Sequence, residues 1–268
     1  MTTTAMQRRR QLRLKREVAQ RTAELAEANR RISQQNRQLE ELSRTDPLTG
    51  IGNRRVLAEQ LPLEMALVQR EVARPGRLDL TSYYGAAVLM IDLDHFKSVN
   101  DRWGHEGGDR ALRSVAQTLT GVLREVDLVV RWGGEEFVVL GRSVDADGAR
   151  SLAVKLMTAV ADTRLDLPNG ESSPLSATIG LVTYPLSFGN PLPGSDWTQL
   201  VDAADRLMYL GKERGRARVC GMVWAPESSP ETDSATVLRD ILDDPTRPIV
   251  GLDWLEVTLS EAREDRSG

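Results

Sequence analysis

Apolar positions follow three different periods along this chain, and each change of period marks a change of element. Residues 5–44 contain no Pro or Gly, and within them Val18, Leu25, Ile32 and Leu39 recur every seven residues. Leu14, Ala28 and Leu42 take the companion positions of the same seam. Apolar a and d positions sustained at that period predict a left-handed coiled coil. At 1.5 Å per residue its helix would be roughly 60 Å long. So narrow a stripe suits a parallel homodimer better than a helix folded back on its own domain. Arg21 and Gln35 fall on d positions, weakening the seam while favouring one register.

Asp46 and Pro47 end that helix, because proline disfavours helical geometry in the residue before it. Residues 48–53 read as a compact loop, and Asn53 is placed to cap a helix over 54–74 that Pro75 and Gly76 stop. The run Ala86-Ala87-Val88-Leu89-Met90-Ile91 is continuous, short and rich in β-formers, the mark of a strand buried on both faces. Leu112, Val115, Ala116 and Leu119 return to helical spacing and predict a helix over 107–123. Strands over 128–132 and 136–140 flank Gly133-Gly134, a hairpin signal. A helix over 145–165, a strand over 175–183, a helix over 197–214 and a strand over 218–223 complete the series. The order β-α-β-β-α-β with a helix and strand appended predicts an α+β, ferredoxin-like palm. Beyond Trp224 the chain turns acidic and linker-like. A short helix near 235–242 and an apolar stretch over 249–259 lie there without an assigned role. The expected domains are therefore 1–44, 45–224 and an acidic extension over 225–268.

Composition narrows the setting. The 268 residues are 40% hydrophobic and 28% charged, with one cysteine, Cys220. An internal disulfide framework is excluded, and a reducing cytoplasm fits. No run of about 18 apolar residues occurs, so no membrane span is expected. The net charge of −4 conceals a gradient: residues 1–44 carry 11 basic and 5 acidic side chains, residues 225–268 carry 4 and 11. A basic start can meet an anionic membrane face or nucleic acid, but solvated helix surface explains it more simply, and no nucleic-acid partner is expected.

Candidate chemistry collects at the strand ends. Asp92 follows the buried apolar run and Asp94 lies two residues on, a costly pair to bury without a positive partner. Mg²⁺ is a common solution, held by one or two carboxylates and substrate phosphates. Glu135 and Glu136 sit at the hairpin tip, where one of them could complete a metal site with Asp92. Taken singly, each of these acids is more often loop decoration. Lys97, Lys212 and Arg216 are the candidate phosphate cations, the last two four apart and so expected on one helix face. Helix-end charge complementing the dipole is the plainer reading of each. The chain lacks a P-loop, a dinucleotide fingerprint, a zinc-ligand pattern and a nucleophile elbow. Direct in-line displacement on phosphorus is the enzymatic idea left standing.

Taken together, these residues resemble the diguanylate cyclases of the GGDEF family. Gly133-Gly134-Glu135-Glu136-Phe137 is similar to the family signature in its GGEEF form. It is joined in order by Asp46-Pro47-Leu48-Thr49-Gly50, Asn53-Arg54-Arg55, and Asp92-Leu93-Asp94-His95-Phe96-Lys97 with Asn100 and Asp101. Gly104-His105 with Gly108-Asp109 follow, then Ala204-Asp205, Tyr209, Lys212, Gly215 and Arg216. The resemblance covers about 45–223, two thirds of the chain. It implies a homodimer that condenses two GTP into cyclic di-GMP and two pyrophosphates, using Mg²⁺ or Mn²⁺, two ions per half-site. It further implies Asp92, Glu135 and the Leu93 carbonyl as metal ligands, and Asp92, Glu135 and Glu136 as the catalytic acids. Asn100 and Asp109 would contact guanine, and Phe96, Lys97, Lys212 and Arg216 the phosphates. Whether the metal or a signature glutamate activates the ribose 3′-hydroxyl stays open.

Arg124-Glu125-Val126-Asp127 precedes Gly133 at the spacing of the family's R-x-x-D inhibitory site, which makes Arg124 and Asp127 the expected contacts of bound product. An Arg matches guanine's O6 and N7 edge bidentately; the plainer alternative is a helix-end salt bridge. Trp132 is expected as core or lip packing and His105 as a structural hydrogen-bonder. Coiled-coil helices of this family relay signals from upstream sensors, so the chain is either a fragment of a longer protein, even one at the inner membrane face, or receives its input otherwise. Two rival readings stand beside the enzyme: a silent cyclic di-GMP receptor acting through Arg124 and Asp127, and an assembly protein.

Overall fold

The computed structural model describes residues 15, 20–22, 27, 44–73, 85–166, 172–186, 192–224, 234–246 and 252–264. The heptad segment expected over 1–44 lies almost wholly outside the described residues; Lys15, Gln20, Arg21, Thr22 and Glu27 are helical and exposed. Met1–Arg44 and Thr45–Gly268 are separate compact units, and the second holds every described strand.

That second unit begins with β1 (Gly52–Asn53), α1 (Arg54–Val72), β2 (Gly85–Leu93) and α2 (Phe96–Val122). The hairpin β3 (Leu128–Gly133) and β4 (Glu136–Val144) follows, then α3 (Ala146–Asp162) and a small hairpin of β5 (Arg164–Asp166) and β6 (Ser172–Pro174). Next come β7 (Ala177–Tyr184), α4 (Trp197–Glu213), β8 (Arg218–Trp224), α5 (Ser234–Asp243), β9 (Leu252–Thr258) and α6 (Leu259–Glu264). Seven strands form one sheet in the order β1-β3-β4-β2-β7-β8-β9. Its centre, β3-β4-β2-β7, is antiparallel throughout and is the expected split βαββαβ unit. α4 then crosses over to lay β8 parallel to β7.

Strand alternation divides the core in two. Ala86, Val88 and Met90 pack with α1, α4 and α5, while Ala87, Leu89 and Ile91 pack with α2 and α3 on the other face. Both faces of β2 are thus dry, which is why its sequence is a continuous apolar run rather than an alternating one. Each of the larger of these side chains, Val88, Leu89, Met90 and Ile91, contributes about 1.5–3 kcal/mol by leaving water. Gly180 of β7 lets α4 settle directly on the sheet: a Cβ there would lie 1.9 Å from the Ala204 carbonyl oxygen and 2.5 Å from the Met208 nitrogen. That close approach brings the C-terminal end of α4 over the end of β2.

Three elements depart from the sequence expectation. The first helical turn of α2 begins at Phe96, in the segment read as loop, and α2 is broken at Gly104, where φ is 70° and ψ 176°. α4 ends at Glu213, so Arg216 lies beyond the helix and shares no face with Lys212; its own φ is 64°. The acidic extension is no mere tail: β9 pairs antiparallel with β8 along its whole length, from Arg218 opposite Thr258 to Trp224 opposite Leu252. Within that stretch Leu255 and Val257 pack into the core while Trp254 is exposed. No helix among the described residues is long and apolar enough to cross a membrane.

Candidate active site

Asp92 continues the Val88-Met90 phase of β2 and so emerges on the α4 side of the sheet. In register it pairs with Glu136 on β4 and Thr178 on β7. Glu136 shares the phase of Val138 and Leu140, which brings it to the same face. From above, α4 supplies Lys212, whose Nζ lies 2.7 Å from Asp92 Oδ2. Burial pushes the Asp92 carboxyl up, Lys212 pulls it part of the way back, and Glu135 and Asp94 add repulsion. The Glu136 carboxyl is likewise pushed up by burial, then by Asp92 and by Asp205 of α4. Asp205 itself is raised by burial and by Asp202. Several carboxylates crowd one partly dry strand end with one ammonium among them.

Asp94, the other acid of the pair, serves a structural purpose. Oδ1 accepts from Thr178 Oγ1 at 2.6 Å, and Oδ2 accepts from Ser176 Oγ at 2.8 Å and from the Ala217 amide at 3.0 Å. Those bonds satisfy a carboxylate that is only 8% exposed. They also tie the loop after α4 to the end of β2.

The signature turn is gripped from behind. Gly134 has φ 51°, a left-handed conformation that glycine adopts without strain. Its carbonyl accepts from Arg131 Nη2 at 2.7 Å and Nε at 3.0 Å. The remaining nitrogen, Nη1, reaches both oxygens of Asp46 at 3.2 Å. Asp46 also accepts from the Thr49 amide at 2.8 Å and hydroxyl at 2.6 Å. The Asp46-Pro47-Leu48-Thr49-Gly50 motif therefore acts as a brace for the turn, a role that its position in the sequence did not reveal.

Two segments of α2 meet where the helix breaks. Asn100 Oδ1 lies 2.1 Å, and Phe96 Cζ 3.1 Å, from where a Cβ on Gly108 would sit. The break thus folds Asn100 of the first helical segment against Gly108 of the second, with Asp109 next in line. Asp109 is half-exposed and lies 4.0 Å from Arg113. The Phe96 side chain is buried in the core, so a phosphate contact there would fall to its backbone at the start of α2. Lys97 is exposed in the first turn of α2, and Arg216 is exposed in the loop after α4. His105 is exposed and makes no side-chain hydrogen bond among the described residues, contrary to expectation. Trp132 packs edge-on against Trp197, 6.4 Å between centroids, under the Arg54 guanidinium.

Arg124 and Asp127 sit elsewhere, beside the far end of β4. Arg124 Nε and Nη2 each lie 3.1 Å from Asp127, whose Oδ1 also accepts from the Arg142 amide at 3.0 Å. The Asp127 side chain is 1% exposed and that of Arg124 54%. The buried Asp127 carboxylate therefore orients the exposed Arg124. Arg124, Asp127, Ser151, Leu152 and Lys155 line a cavity of about 200 Å³ there.

As for a metal, the residues at the β2 end fit in kind. Oxygen donors that are partly desolvated and mutually repelling are what a hard divalent cation relieves. Among the described residues no three acids, histidines or cysteines converge on one point. Two protein carboxylates with substrate oxygens completing the shell is the arrangement magnesium commonly accepts.

Residues 43–218 match the family described as the diguanylate cyclase GGDEF domain. The chain is 35% identical over 184 residues to diguanylate cyclase DosC of Escherichia coli strain K12, covering 67% of this chain and 36% of DosC. It thus spans about a third of that relative's length. Among solved structures it is similar to diguanylate cyclase SiaD from Pseudomonas aeruginosa in complex with its activator SiaC, with 28% identity and TM-score 0.53 over 81% of this chain and 79% of that one. It is also similar to the GGDEF domain of DgcB from Caulobacter crescentus in complex with c-di-GMP, with 25% identity and TM-score 0.56 over 67% and 95% of the two chains.

Proposed function

The chain belongs to the GGDEF-domain family of diguanylate cyclases, and on that premise we propose that it is itself a cyclase, joining two GTP into cyclic di-GMP and two pyrophosphates. The observation that carries this reading is the Lys212–Asp92 ion pair, at 2.7 Å, beside an intact GGEEF turn. It places an anion-binding cation and a cation-binding carboxylate within one site, as a nucleoside triphosphate requires.

In each of two steps a ribose 3′-oxygen attacks the α-phosphorus of the facing GTP, the bond to the β-phosphate oxygen breaks, and pyrophosphate leaves. The hydroxyl proton passes to a signature carboxylate or to solvent. Asp92, Glu135 and the Leu93 carbonyl would hold Mg²⁺, which when bound offsets charge developing at the phosphorus. Lys212 would exchange Asp92 for a phosphate oxygen, with Lys97 and Arg216 as further phosphate contacts. Such fixed charges act by electrostatic stabilisation and in-line positioning. Asn100 and Asp109, on either side of the break at Gly104, would read the guanine edge.

One domain holds one GTP, so two must face each other. The heptads over 1–44 support a coiled-coil pairing that raises the local concentration of the second half-site. Product would bind at the Arg124 cavity and hold the domains apart, Arg124 meeting a guanine edge while Asp127 orients it. The neighbouring Lys155 adds positive charge for a phosphate there.

The test is incubation of the purified chain with GTP and Mg²⁺, with ATP in parallel and Glu135→Ala as control, followed by chromatographic identification of products. Cyclic di-GMP from GTP alone, lost in the variant, is expected. Tight cyclic di-GMP binding without turnover would replace the enzyme by a receptor.

A further inference from the structure

The last strand of the sheet lies outside the stretch that matches the family, residues 43–218, yet its contacts converge on the loop that carries Arg216. Glu256 of β9 spreads its carboxylate over two arginines. Oε1 accepts from Arg218 Nη1 at 2.7 Å, and Oε2 accepts from Arg214 Nη1. These two arginines stand two residues to either side of Arg216. Arg218 Nε also donates to the Arg216 carbonyl at 3.1 Å. The Arg214 guanidinium lies over the Trp254 ring, 5.2 Å from its centroid, and the Leu259 amide donates to the Ala217 carbonyl at 2.9 Å. From the other side the Ala217 amide is held by Asp94, and the Arg216 amide by the Gly211 carbonyl at 3.0 Å.

The loop needs such support. Gly215, Arg216 and Ala217 have φ of 115°, 64° and 47°. Left-handed geometry at an Arg and an Ala is unfavourable and persists only where neighbours over-determine it. β9 and α6 supply contacts on the side away from Asp94. Charge matters as well: three arginines within five residues would otherwise compete for one anion. Glu256 engages the outer two, one negative charge shared between them, and the Arg216 guanidinium, which has no ion pair among the described residues, is left exposed.

We propose that Glu256 is a positioning residue for the substrate phosphates: it engages Arg214 and Arg218 and sets the left-handed turn, so that Arg216 is the arginine presented to the nucleotide. This rests on the reading of the chain as a GTP-using cyclase, and it assigns the C-terminal strand a part in that site.

The test compares the full chain with Glu256→Gln, Glu256→Asp, Arg216→Ala and the double variant Glu256→Gln/Arg216→Ala. Asp162→Asn serves as control, because the Arg263–Asp162 pair at 2.9 Å ties α6 to α3 without touching the loop. The readouts are Kd for a non-hydrolysable GTP analogue with Mg²⁺, KM and kcat for product, melting temperature, and amide exchange over 214–218. Glu256→Gln is expected to raise Kd and KM about tenfold, the scale at which lost orienting partners act, with kcat within about twofold. Exchange over 214–218 speeds up, Glu256→Asp recovers part of the affinity, and Asp162→Asn matches wild type. In the Arg216→Ala background the Glu256→Gln change adds nothing further, because its effect runs through Arg216. An unchanged Kd in Glu256→Gln, an equal rise in Asp162→Asn, or a fully additive double variant would overturn the inference alone. Wild-type protein that binds no GTP analogue would overturn the cyclase reading and this inference with it.

Discussion

Arg131 and Asp46, 85 residues apart in sequence, form a two-point ion pair with Nη1 at 3.2 Å from each carboxylate oxygen. The same guanidinium holds the Gly134 carbonyl, so the start of the domain and the signature turn move as one piece. A lysine has one charged head and cannot make both contacts in that planar fork geometry. Arg131→Lys is therefore expected to lower kcat roughly tenfold while the domain stays folded. Steady-state kinetics beside a thermal melt check this; an unchanged kcat would refute the brace.

The pair also sets a pH dependence. Burial alone would push the Asp46 carboxyl up, but Thr49 and Arg131 outweigh it and hold the group below its ordinary value of 3.8. A carboxyl lowered in the folded state binds fewer protons than in the unfolded chain, so its stabilisation is present above the ordinary value and lost as pH falls through the folded one. Asp46→Asn should lower the melting temperature by roughly 3–6 °C at pH 7. The gap to wild type should shrink at pH 3. An equal gap at both values would show that charge is not the cause.

Gly108→Ala tests the proposed guanine contact of Asn100. The added methyl would fall 2.1 Å from Asn100 Oδ1. That atom ends a flexible side chain, so Asn100 yields and the fold survives. Alanine also favours helix over glycine by up to about 1 kcal/mol. Expected are a melting temperature close to wild type, the helix gain set against the small shift asked of buried Phe96 at 3.1 Å, and a KM for GTP raised about tenfold, the loss of one polar base contact. A normal KM would remove Asn100 from substrate recognition.

Gly180→Ala tests the seat of α4. Here the added carbon would meet backbone, 1.9 Å from the Ala204 carbonyl oxygen, and nothing local can yield. Overpacking of this kind costs about 3 kcal/mol or more. A denaturation midpoint near that of wild type would be incompatible with the helix position described.

Arg124 and Asp127 should separate. Arg124→Ala takes the guanidinium from Asp127 but leaves the Arg124 and Arg142 amides on that buried carboxylate, so the proposed product inhibition weakens at a cost of only about 1 kcal/mol in stability. Asp127→Ala also frees inhibition, but it deletes the buried acceptor that the Arg124 and Arg142 amides and the Arg124 guanidinium share, and should destabilise by about 2–3 kcal/mol. Product-inhibition curves beside urea unfolding decide; equal stability of the two variants would contradict their different burial.

Much of this architecture was legible along the chain. The apolar run of β2, the Gly133-Gly134 hairpin and the helical spacing of Leu112, Val115, Ala116 and Leu119 each report a local period, and local periods survive in sequence. The strand β9 was not legible, because its stretch Asp253-Trp254-Leu255-Glu256-Val257 gains meaning only from the neighbouring edge of β8. The division of labour between Asp92 and Asp94 was hidden for the same reason. Two acids two residues apart look alike until Lys212 comes to one, and Ser176, Thr178 and Ala217 to the other.

Sequence alone determined which residue types stand at the strand ends and in what order, since a motif of glycines, carboxylates and cations is a property of the chain. Tertiary structure decided which of them meet. Asn100 and Gly108 would stand about 12 Å apart along an unbroken helix at 1.5 Å per residue. The left-handed residue Gly104 folds the two segments together. Asp127 became an internal orienter and Asp46 a brace because burial and distant partners, not neighbours in sequence, set the free energy of a charge.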